Sequence, residues 1–451
     1  MAEAVTQGRA LRSPGAKIFM VAALTVAMAV PLFFIQLALS DREHTADQAS
    51  SDVASGWGGP QVVSGPVLTV PYTVERSQVI DGKTVATTVR ETRMLLPENL
   101  NLALHASAET RWRGIFKVPV YRAQVHIQAE FDKAALAGLL PPEAHALWNE
   151  ASIGILVSDP HGLADNAALS VNGQSHPFLP GHGLGEERML ADGSRVSGIH
   201  VPLALAGPDD LKLETSFVLR GSRELSVSPL GRRTVASIDS GWASPSFFGA
   251  FLPTERKVGA DGFAASWTVP YLAPGFGQTL DNMPSAMLTI TSPAFGVRFY
   301  QPVDYYQLVQ RALKYAILFV ALSFLIFFVV ETLSVKRLHF VQYLLVGVSQ
   351  VLFYLLLLSL CEHIGFGLTY LIAAAATVAA TGLYASAVLD SRRRALVLGA
   401  ILSMLYGLMY VILNAEDYAL LIGSLVLFSA LGATMYVTRR IDWYRVQEEV
   451  S

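Results

Sequence analysis

Six apolar stretches constrain this chain more than any other feature. A transmembrane helix needs about 20 predominantly apolar residues, and such stretches lie at residues 18–39, 313–330, 340–360, 367–389, 395–413 and 418–437. Residues 305–312 can lengthen the short second stretch as an interfacial turn. The pattern predicts an α-helical integral membrane protein in which a large domain is inserted between the first span and a five-helix C-terminal bundle, residues 305–437.

Positive charges in the short loops orient these spans, because cytoplasmic loops carry an excess of Lys and Arg. The loops 361–366 and 414–417 contain neither residue type. The charges fall on the other side, at Arg9, Arg12, Lys17, Lys336, Arg337, Arg392, Arg393, Arg394, Arg439, Arg440 and Arg445. We therefore expect a bacterial inner membrane protein with cytoplasmic termini, residues 1–17 and 438–451, and with residues 40–304 in the periplasm.

The first apolar stretch has a second interpretation as a cleaved signal peptide. Ala38-Leu39-Ser40 is an acceptable small-residue cleavage pattern. The stretch is 22 residues long, however, which exceeds the usual apolar core of a signal peptide and favours an uncleaved anchor. Residues 40–304 lie outside the cytoplasm in both interpretations.

Composition supports this division of the chain. Charged residues make up 15% and hydrophobic residues 52%, whereas ordinary soluble domains contain about 25% charged residues. The apolar surplus lies in the spans, and residues 40–304 read as a soluble domain. A single cysteine excludes an internal disulfide, and the formal net charge of −3 gives no indication of a nucleic-acid partner.

Residues 40–304 are predicted to be rich in β-strands and sandwich-like. Asp81-Gly82, Asn172-Gly173 and Asp261-Gly262 stand between β-type runs, and this dipeptide is a strong hairpin signal. Ala123–Phe131 alternates apolar with polar residues, as a half-buried strand does, and residues 211–214 alternate in the same way.

Helices are expected at three places in this region. Residues 132–140 and 142–148 are the likeliest helical stretches of the inserted domain by composition. Residues 41–55 are polar and low in Gly and Pro, and they suggest a short helix that connects the first span to the domain.

The sequence lacks recognisable catalytic motifs. There is no nucleophile elbow, no zinc-protease motif and no phosphate-binding loop, so we predict no catalytic residue, no cofactor and no enzyme activity. His176 and His182 form the closest histidine pair of the inserted domain but lack a recognised zinc-ligand spacing. A polar loop is the favoured interpretation of that pair, and no metal site is predicted.

Several segments carry a family resemblance. They are WGGPQVVSGPVLTVPY (57–72), RWRGIFKVPVYRA (111–123), GWASPSFFGAFLP (241–253), GFAASW (262–267), PVDYYQLVQRALKYAILF, LLLLSLCEHIGF, NAEDYALLIGS and TRRIDWY. In this order and spacing they resemble the CreD family of bacterial inner membrane proteins over almost the whole chain. Cys361 departs from the Ser or other small residue expected there, which argues against a reactive role for its thiol.

The resemblance implies an inner membrane protein associated with cell-envelope integrity and stress. Members of that family are usually controlled by a two-component system that also influences β-lactam resistance, and no enzyme activity is implied. Candidate interaction residues within these segments are Trp57, Arg111, Arg113, Tyr121, Trp242 and Phe247. Structural packing is the favoured role for the aromatic residues. The alternative is a binding surface, because Trp and Arg anchors are enriched at interfaces.

Polar residues gather at the predicted outward ends of the bundle. They are Asp304, Tyr305, Arg311, Lys314, Glu362, His363, Glu416 and Asp417. We favour an ion-pair seam that joins the bundle to the inserted domain. Alternatively, Glu362 and His363 form a functional polar cluster that titrates near neutral pH, in which case replacing His363 with Ala would abolish a pH-dependent envelope phenotype.

The spans argue against ion-coupled transport, which usually requires ionisable groups at membrane depth. Small residues of the fourth span, at 373–376, 379, 380 and 382, predict close helix packing, although a lipid cavity stays open. The sequence therefore favours a non-enzymatic envelope-integrity protein, with a lipid or small-molecule transporter as the alternative. Expected partners are the lipid bilayer and an envelope protein or lipid, and the oligomeric state is undetermined.

Overall fold

Two compact units make up the chain in the computed structural model. Residues 1–46 and 303–451 form one, here called the membrane unit, and residues 47–302 form the other, here called the β-domain. The structure describes residues 14–80, 83–164, 167–184, 197–281, 290, 293–299, 305–332, 338–415 and 418–439. An N-terminal apolar helix, a β-rich middle and a C-terminal helical bundle confirm the predicted fold class.

Eight α-helices lie in the described ranges. They are α1 (Pro14–Ala27), α2 (Ala29–Trp57), α3 (Lys133–Ala137), α4 (Tyr305–Thr332), α5 (Phe340–Ile364), α6 (Phe366–Leu389), α7 (Arg392–Asn414) and α8 (Ala419–Thr438). Six helical segments of the described chain are long and apolar enough to cross a membrane, with α1 and α2 counted together as one. Residues 305–312, predicted as an interfacial turn, are instead the first two turns of α4.

Local sequence signals set the helix ends of the bundle. His339 and Gln342 form a reciprocal capping box at the start of α5, which satisfies backbone N–H groups that a helix start leaves unpaired. Gly365 has a φ of 80° and separates α5 from α6 by one residue. Ser391 caps α7 by accepting a hydrogen bond from the Arg394 N–H. These tight connections place consecutive helices side by side.

The core of the membrane unit is aromatic. Phe324, Phe353 and Tyr354 are almost completely buried. A Cβ added to Gly347 on α5 would lie 2.8 Å from the Phe324 ring and 2.9 Å from the Met28 sulfur, so the missing side chain permits this close approach. By contrast, α8 contains no buried residue within its described span.

The β-domain contains eighteen strands in the described ranges. They are β1 (Gln61–Ile80), β2 (Lys83–Leu95), β3 (Asn99–Arg113), β4 (Phe116–Phe131), β5 (His145–Ala146), β6 (Ala151–Val157), β7 (Ala168–Val171), β8 (Gln174–Pro177), β9 (Leu179–Pro180), β10 (Gly198–Leu203), β11 (Leu211–Ser222), β12 (Glu224–Val227), β13 (Arg233–Ser240), β14 (Pro245–Gly249), β15 (Glu255–Gly259), β16 (Gly262–Pro270), β17 (Thr279–Leu280) and β18 (Phe295–Phe299).

These strands form two sheets that enclose one apolar core. The ten-stranded sheet has the order β14-β18-β12-β1-β6-β10-β9, with β2 and β5 also paired to β1, and β17 paired to β2. The eight-stranded sheet has the order β15-β16-β13-β3-β4-β11-β7-β8. Strand β4 alternates as predicted: Val125, Ile127 and Ala129 are buried in the core, and the residues between them form the outer face of the eight-stranded sheet.

All three predicted hairpins are present. Ile80 pairs with Lys83, and the two residues between them lie outside the described ranges. Val171 pairs with Gln174 around Asn172-Gly173. The third hairpin joins β15 to β16, but its loop is Ala260-Asp261, one residue earlier than predicted. Gly262 then begins β16 with a φ of 131°, a conformation that favours glycine.

The helix predictions had mixed outcomes. Residues 41–55 are helical, although they continue α2 rather than form a separate helix. The stretch 132–140 contains only the five-residue α3. The helix predicted at 142–148 is wrong: His145 and Ala146 form β5, and the Leu147 N–H donates to the Pro71 carbonyl at 2.9 Å. Pairing with β1 overrides the local helix preference there.

Candidate functional site

Four side chains of the β-domain form what we call the tryptophan–arginine cluster: Trp57, Arg111, Arg122 and Arg220. The guanidinium carbon of Arg111 lies 3.6 Å from the centroid of the Trp57 ring, and those of Arg122 and Arg220 each lie 5.3 Å away. All three distances are within the range of a cation–π interaction. One indole ring therefore contacts three cations.

The end of α2 positions the indole. Trp57 is the last residue of α2 and packs on Val118 and Val120, which lie on the outer face of the eight-stranded sheet. Its ring N–H donates to the Tyr121 carbonyl at 3.3 Å. Gly58 follows with a φ of 128°, and a Cβ there would lie 2.6 Å from the Arg220 carbonyl oxygen. The Trp-Gly pair thus allows the chain to turn from helix to strand directly against β11.

Strand register brings the arginines together. Arg220 on β11 is directly opposite Arg122 on β4, and both project from the outer face of their sheet. Arg111 lies on β3, which pairs with β4. Like charges placed directly opposite each other in a sheet are destabilising. The Trp57 ring offsets part of this repulsion, because its negative face lies against the guanidinium groups.

The charges of the cluster are only partly balanced. Arg111 pairs with Glu109 at 3.1 Å. Across the described ranges, neither Arg122 nor Arg220 has a carboxylate oxygen within 4.0 Å. Arg220 donates weakly to the His161 carbonyl at 3.4 Å, and its buried Nε has no hydrogen-bond partner. The cluster therefore presents two positive charges without a neutralising acid.

A hydrogen-bond network fixes the backbone beside Arg220. The Gln61 amide donates to the carbonyls of Asp159 and Arg220 at 2.9 and 3.0 Å. The Asp159 carboxylate accepts from the Gly59 N–H at 2.9 Å and from the His161 N–H at 3.0 Å. Burial raises the pKa of Asp159, but these hydrogen bonds and the His161 ring outweigh it and hold the pKa below its usual value.

Tyr121 lies beneath the cluster on the core side of β4. Its hydroxyl donates to the Glu224 carbonyl at 2.6 Å, and burial raises its pKa well above the usual value. Its ring packs on Phe299 at 5.0 Å, and Trp242 packs on the same phenylalanine at 6.1 Å. Phe247 packs further along the core, against Phe263 and Trp267. These contacts give Tyr121, Trp242 and Phe247 packing partners in the core.

The predicted interaction residues thus separate into three groups, of which the first is the set of core aromatic residues Tyr121, Trp242 and Phe247. Trp57, which is nearly buried, contacts Arg111 on the outer face of the eight-stranded sheet, whereas Arg113 lies apart and pairs with Asp52 on α2 at 3.2 Å. Two members of the cluster, Arg122 and Arg220, were not among the predicted residues. Arg122 lies in the segment 111–123 that carries the family resemblance, and it falls on the polar face that continues the alternation of Ala123–Phe131. Arg220 could be found only from strand register.

One predicted polar residue of the membrane unit has clear partners. The Tyr306 hydroxyl donates to the Glu362 carboxylate at 2.8 Å, and the Arg42 guanidinium lies 3.9 Å from the same carboxylate. Tyr306 and Arg42 were not among the predicted residues. The sequence indicated Tyr305, its neighbour, which packs partly buried against the core of the bundle.

The described residues show no ion pair between Glu362 and another predicted polar residue. Arg311 donates to the Leu413 carbonyl at 3.4 Å, and Lys314 and His363 are exposed. The remaining three predicted residues, Asp304, Glu416 and Asp417, lie outside the described residues. The seam between the bundle and the inserted domain stays a prediction.

A buried carboxylate was missed by the sequence reasoning. Glu331 on α4 has a side chain that is only 5% exposed and pairs with Lys17 on α1. It also accepts hydrogen bonds from the Tyr343 hydroxyl at 2.8 Å and from the Leu338 N–H at 2.7 Å. Glu331 lies one residue beyond the predicted end of its span, which is why no ionisable residue was expected within the helices.

Small residues of α6 have two roles. The buried face of α6 carries Ala373, Thr377, Thr381 and Ala385, which repeat every four residues. The prediction of close packing through 373–376, 379, 380 and 382 is wrong for most of these residues, because only Ala373 is buried and those at 375, 376, 379 and 380 are exposed. The adjacent face lines a groove of about 620 Å³ between α6 and α7. The lining comprises Gly367, Tyr370, Leu371, Ala374, Ala375, Val378, Ala379, Ser403, Tyr406, Gly407 and Tyr410. The groove extends from the Gly365 end of α6 to about its middle.

Comparisons with known proteins identify the family. The chain is 36% identical over 417 residues to inner membrane protein CreD of Escherichia coli (strain K12), covering 92% of this chain and 90% of that protein. A solved Legionella pneumophila structure, described as a candidate nutrient-binding protein, is 8% identical and covers 54% of this chain and 84% of that one. Its TM-score of 0.26 is too low to carry an argument. The family model of inner membrane protein CreD matches residues 13–444, and the chain therefore belongs to the CreD family.

Proposed function

We propose that this multi-pass inner membrane protein supports cell-envelope integrity under stress without catalysing a reaction, and that the β-domain is its interaction module. In this proposal both termini are cytoplasmic and residues 40–304 are periplasmic, as the charge distribution of the loops favours. The observation that carries the proposal is the tryptophan–arginine cluster. It holds two guanidinium groups, for which the described residues supply no acidic partner, against a nearly buried indole on the outer face of the eight-stranded sheet.

The composition of the cluster suits recognition of a partner. Tryptophan and arginine are enriched among the residues that dominate binding energy at interfaces. A guanidinium group held against an aromatic face is already oriented, so less conformational freedom is lost when it binds. The opposed arginines carry a cost in the unbound protein, and an anionic partner would relieve that cost.

Site-specific crosslinking in intact cells tests this proposal. A photoreactive residue at Glu109, beside the cluster, is compared with one at Lys257, which is exposed on edge strand β15. We expect a discrete crosslinked partner from position 109 that is absent from position 257 and decreases when Arg122→Gln is added. Rescue of envelope-stress survival in a deletion strain should fall in parallel, at equal protein abundance.

Two results would contradict an interaction role for the cluster. One is an identical crosslinking pattern at both positions. The other is full rescue of envelope-stress survival by a variant that carries both Arg122→Gln and Arg220→Gln.

The groove between α6 and α7 favours lipid handling as a second candidate function. Its lining is mostly apolar and lies in membrane-spanning helices, so a lipid acyl chain fits its chemistry. Replacing Ala375 or Ala379 with Phe would fill it from the exposed side. If the protein handles lipid, these variants lose stress rescue at normal abundance, whereas Ala376→Phe, on the same helix but outside the groove lining, does not. Unchanged rescue in both groove variants would exclude this candidate.

A further inference from the structure

We infer that Arg122 and Arg220 form an oxyanion site that binds a phosphate group. The inference rests on the interaction role proposed for the tryptophan–arginine cluster and names the chemistry of its ligand. The two guanidinium groups project from directly opposed positions on neighbouring strands. They share one platform, the Trp57 ring, at equal distances of 5.3 Å.

Comparison with other ring-stacked arginines of the β-domain sets this pair apart. Arg232 lies over Tyr271 at 5.0 Å and pairs with Glu98 at 3.2 Å. Arg298 lies over Phe248 at 5.2 Å and pairs with Glu224 at 2.7 Å. Stacking on an aromatic ring is thus accompanied by a carboxylate at both of these places. At Arg122 and Arg220, by contrast, no carboxylate of the described residues accompanies the stacking.

Nearby acids are already engaged. Asp159 accepts hydrogen bonds from the Gly59 N–H, the His161 N–H and the His161 ring. Glu109 pairs with Arg111. Neither carboxylate can turn toward Arg122 or Arg220 without breaking those contacts. An external anion is therefore the available means of neutralising the pair.

The arrangement of donors favours phosphate over a carboxylate. Each guanidinium presents a planar fork of N–H donors that matches two oxygens of an oxyanion. Two forks on adjacent strands offer more donors than the two oxygens of a carboxylate can accept in bidentate fashion. A phosphate has at least three acceptor oxygens and can bridge both forks.

The test measures phosphate binding to the full chain in nanodiscs of neutral phosphatidylcholine. Inorganic phosphate is titrated by calorimetry, and binding of vesicles that contain phosphatidylglycerol is measured in parallel. Saturation by both probes is expected if the site takes any phosphate, and saturation by vesicles alone identifies a lipid headgroup as the source. We expect the affinity of the Arg122→Gln/Arg220→Gln double variant for phosphate to fall by about tenfold or more, because hydrogen bonds to charged groups are lost.

Matched variants keep the test decisive. Arg232→Gln removes a ring-stacked arginine that already has a carboxylate, and it should change affinity by less than about twofold. Arg122→Lys keeps the charge but not the fork, and it should weaken binding even if the double variant fails to fold. Saturable binding of neither probe by the unmodified protein would overturn the inference. So would an equal loss in Arg232→Gln, or tighter binding of acetate than of phosphate.

Failure of this inference can be separated from failure of the interaction role. If phosphate does not bind but crosslinking at position 109 still depends on Arg122, the phosphate assignment alone is wrong. If the double variant loses phosphate binding yet fully rescues envelope-stress survival, the oxyanion site stands and the proposed function of the cluster is wrong.

Discussion

Two charged clusters, one in each unit, differ in how completely their charges are satisfied. In the membrane unit, the nearly buried Glu331 carboxylate has three donors: Lys17, the Tyr343 hydroxyl and the Leu338 N–H. In the β-domain, Arg122 and Arg220 share an indole but have no carboxylate among the described residues. Burial makes an unpaired charge costly, so the first cluster must be complete. Arg122 is exposed and Arg220 is half-buried, and this contact with solvent makes an incomplete cluster tolerable and leaves it able to bind.

The largest effect is expected from Glu331→Ala. The change leaves the Lys17 ammonium and the Tyr343 hydroxyl without their acceptor. Loss of one partner from a buried pair typically costs about 3–5 kcal/mol. Thermal unfolding of the purified protein in nanodiscs should show a markedly lower midpoint. Glu331→Gln, which keeps an acceptor oxygen, should be affected less. An unchanged unfolding midpoint in Glu331→Ala would contradict the idea that the buried cluster of the membrane unit needs all its charges paired.

A smaller loss is expected from Trp57→Ala. The change removes a nearly buried ring that packs on Val118 and Val120 and exposes three arginines to mutual repulsion. Truncation of a buried aromatic residue costs about 3–5 kcal/mol, and we expect the low end of that range because Trp57 packs in a small cluster apart from the main core. Amide hydrogen exchange should quicken in the last turns of α2. Trp57→Phe keeps the ring face and loses only the hydrogen bond to Tyr121, worth about 1 kcal/mol, so equal effects of the two variants would contradict a stacking role.

Asp159 should make the β-domain sensitive to acid. Its pKa in the folded state lies below the usual value, so its contribution to stability is present above the unfolded pKa of about 3.9 and is lost as the pH falls through the folded pKa. Unfolding midpoints measured from pH 6 down to pH 3 should therefore fall less steeply in Asp159→Asn than in the unmodified protein. Parallel curves would show that the hydrogen bonds from Gly59 and His161 do not stabilise the ionised form.

The smallest stability effect is expected from Arg122→Gln. Arg122 is exposed, and its removal relieves repulsion with the directly opposed Arg220. The unfolding free energy should change by no more than about 0.5 kcal/mol, as for most surface substitutions, and any change should be toward greater stability. A loss of unfolding free energy comparable to that of Trp57→Ala would show that Arg122 stabilises the β-domain, and it would argue against a binding role for this arginine.

Much of the fold could be read from the sequence because its signals are local. Apolar length determined where membrane-spanning helices form, and the dipeptides that end at Gly82, Gly173 and Gly262 located three hairpins. The outcome at Pro142–Trp148 shows the limit of that reasoning, because a distant strand supplied hydrogen bonds that the local pattern does not contain. Glu331 shows another limit: it lies at a span boundary, and only its partners from α1 and α5 make it a buried charge.

The candidate site, like the fold, could be predicted only in part from the sequence. The sequence by itself indicated Trp57 and Arg111, because they lie in segments that carry the family resemblance and because Trp and Arg are enriched at interfaces. It could not indicate Arg122 with Arg220, since 97 residues separate them along the chain and only the register of β4 against β11 places them face to face. Local interactions determine which elements form. The pairing of charges depends on long-range register, and the tertiary structure alone decided which arginines share the Trp57 ring without a neighbouring acid.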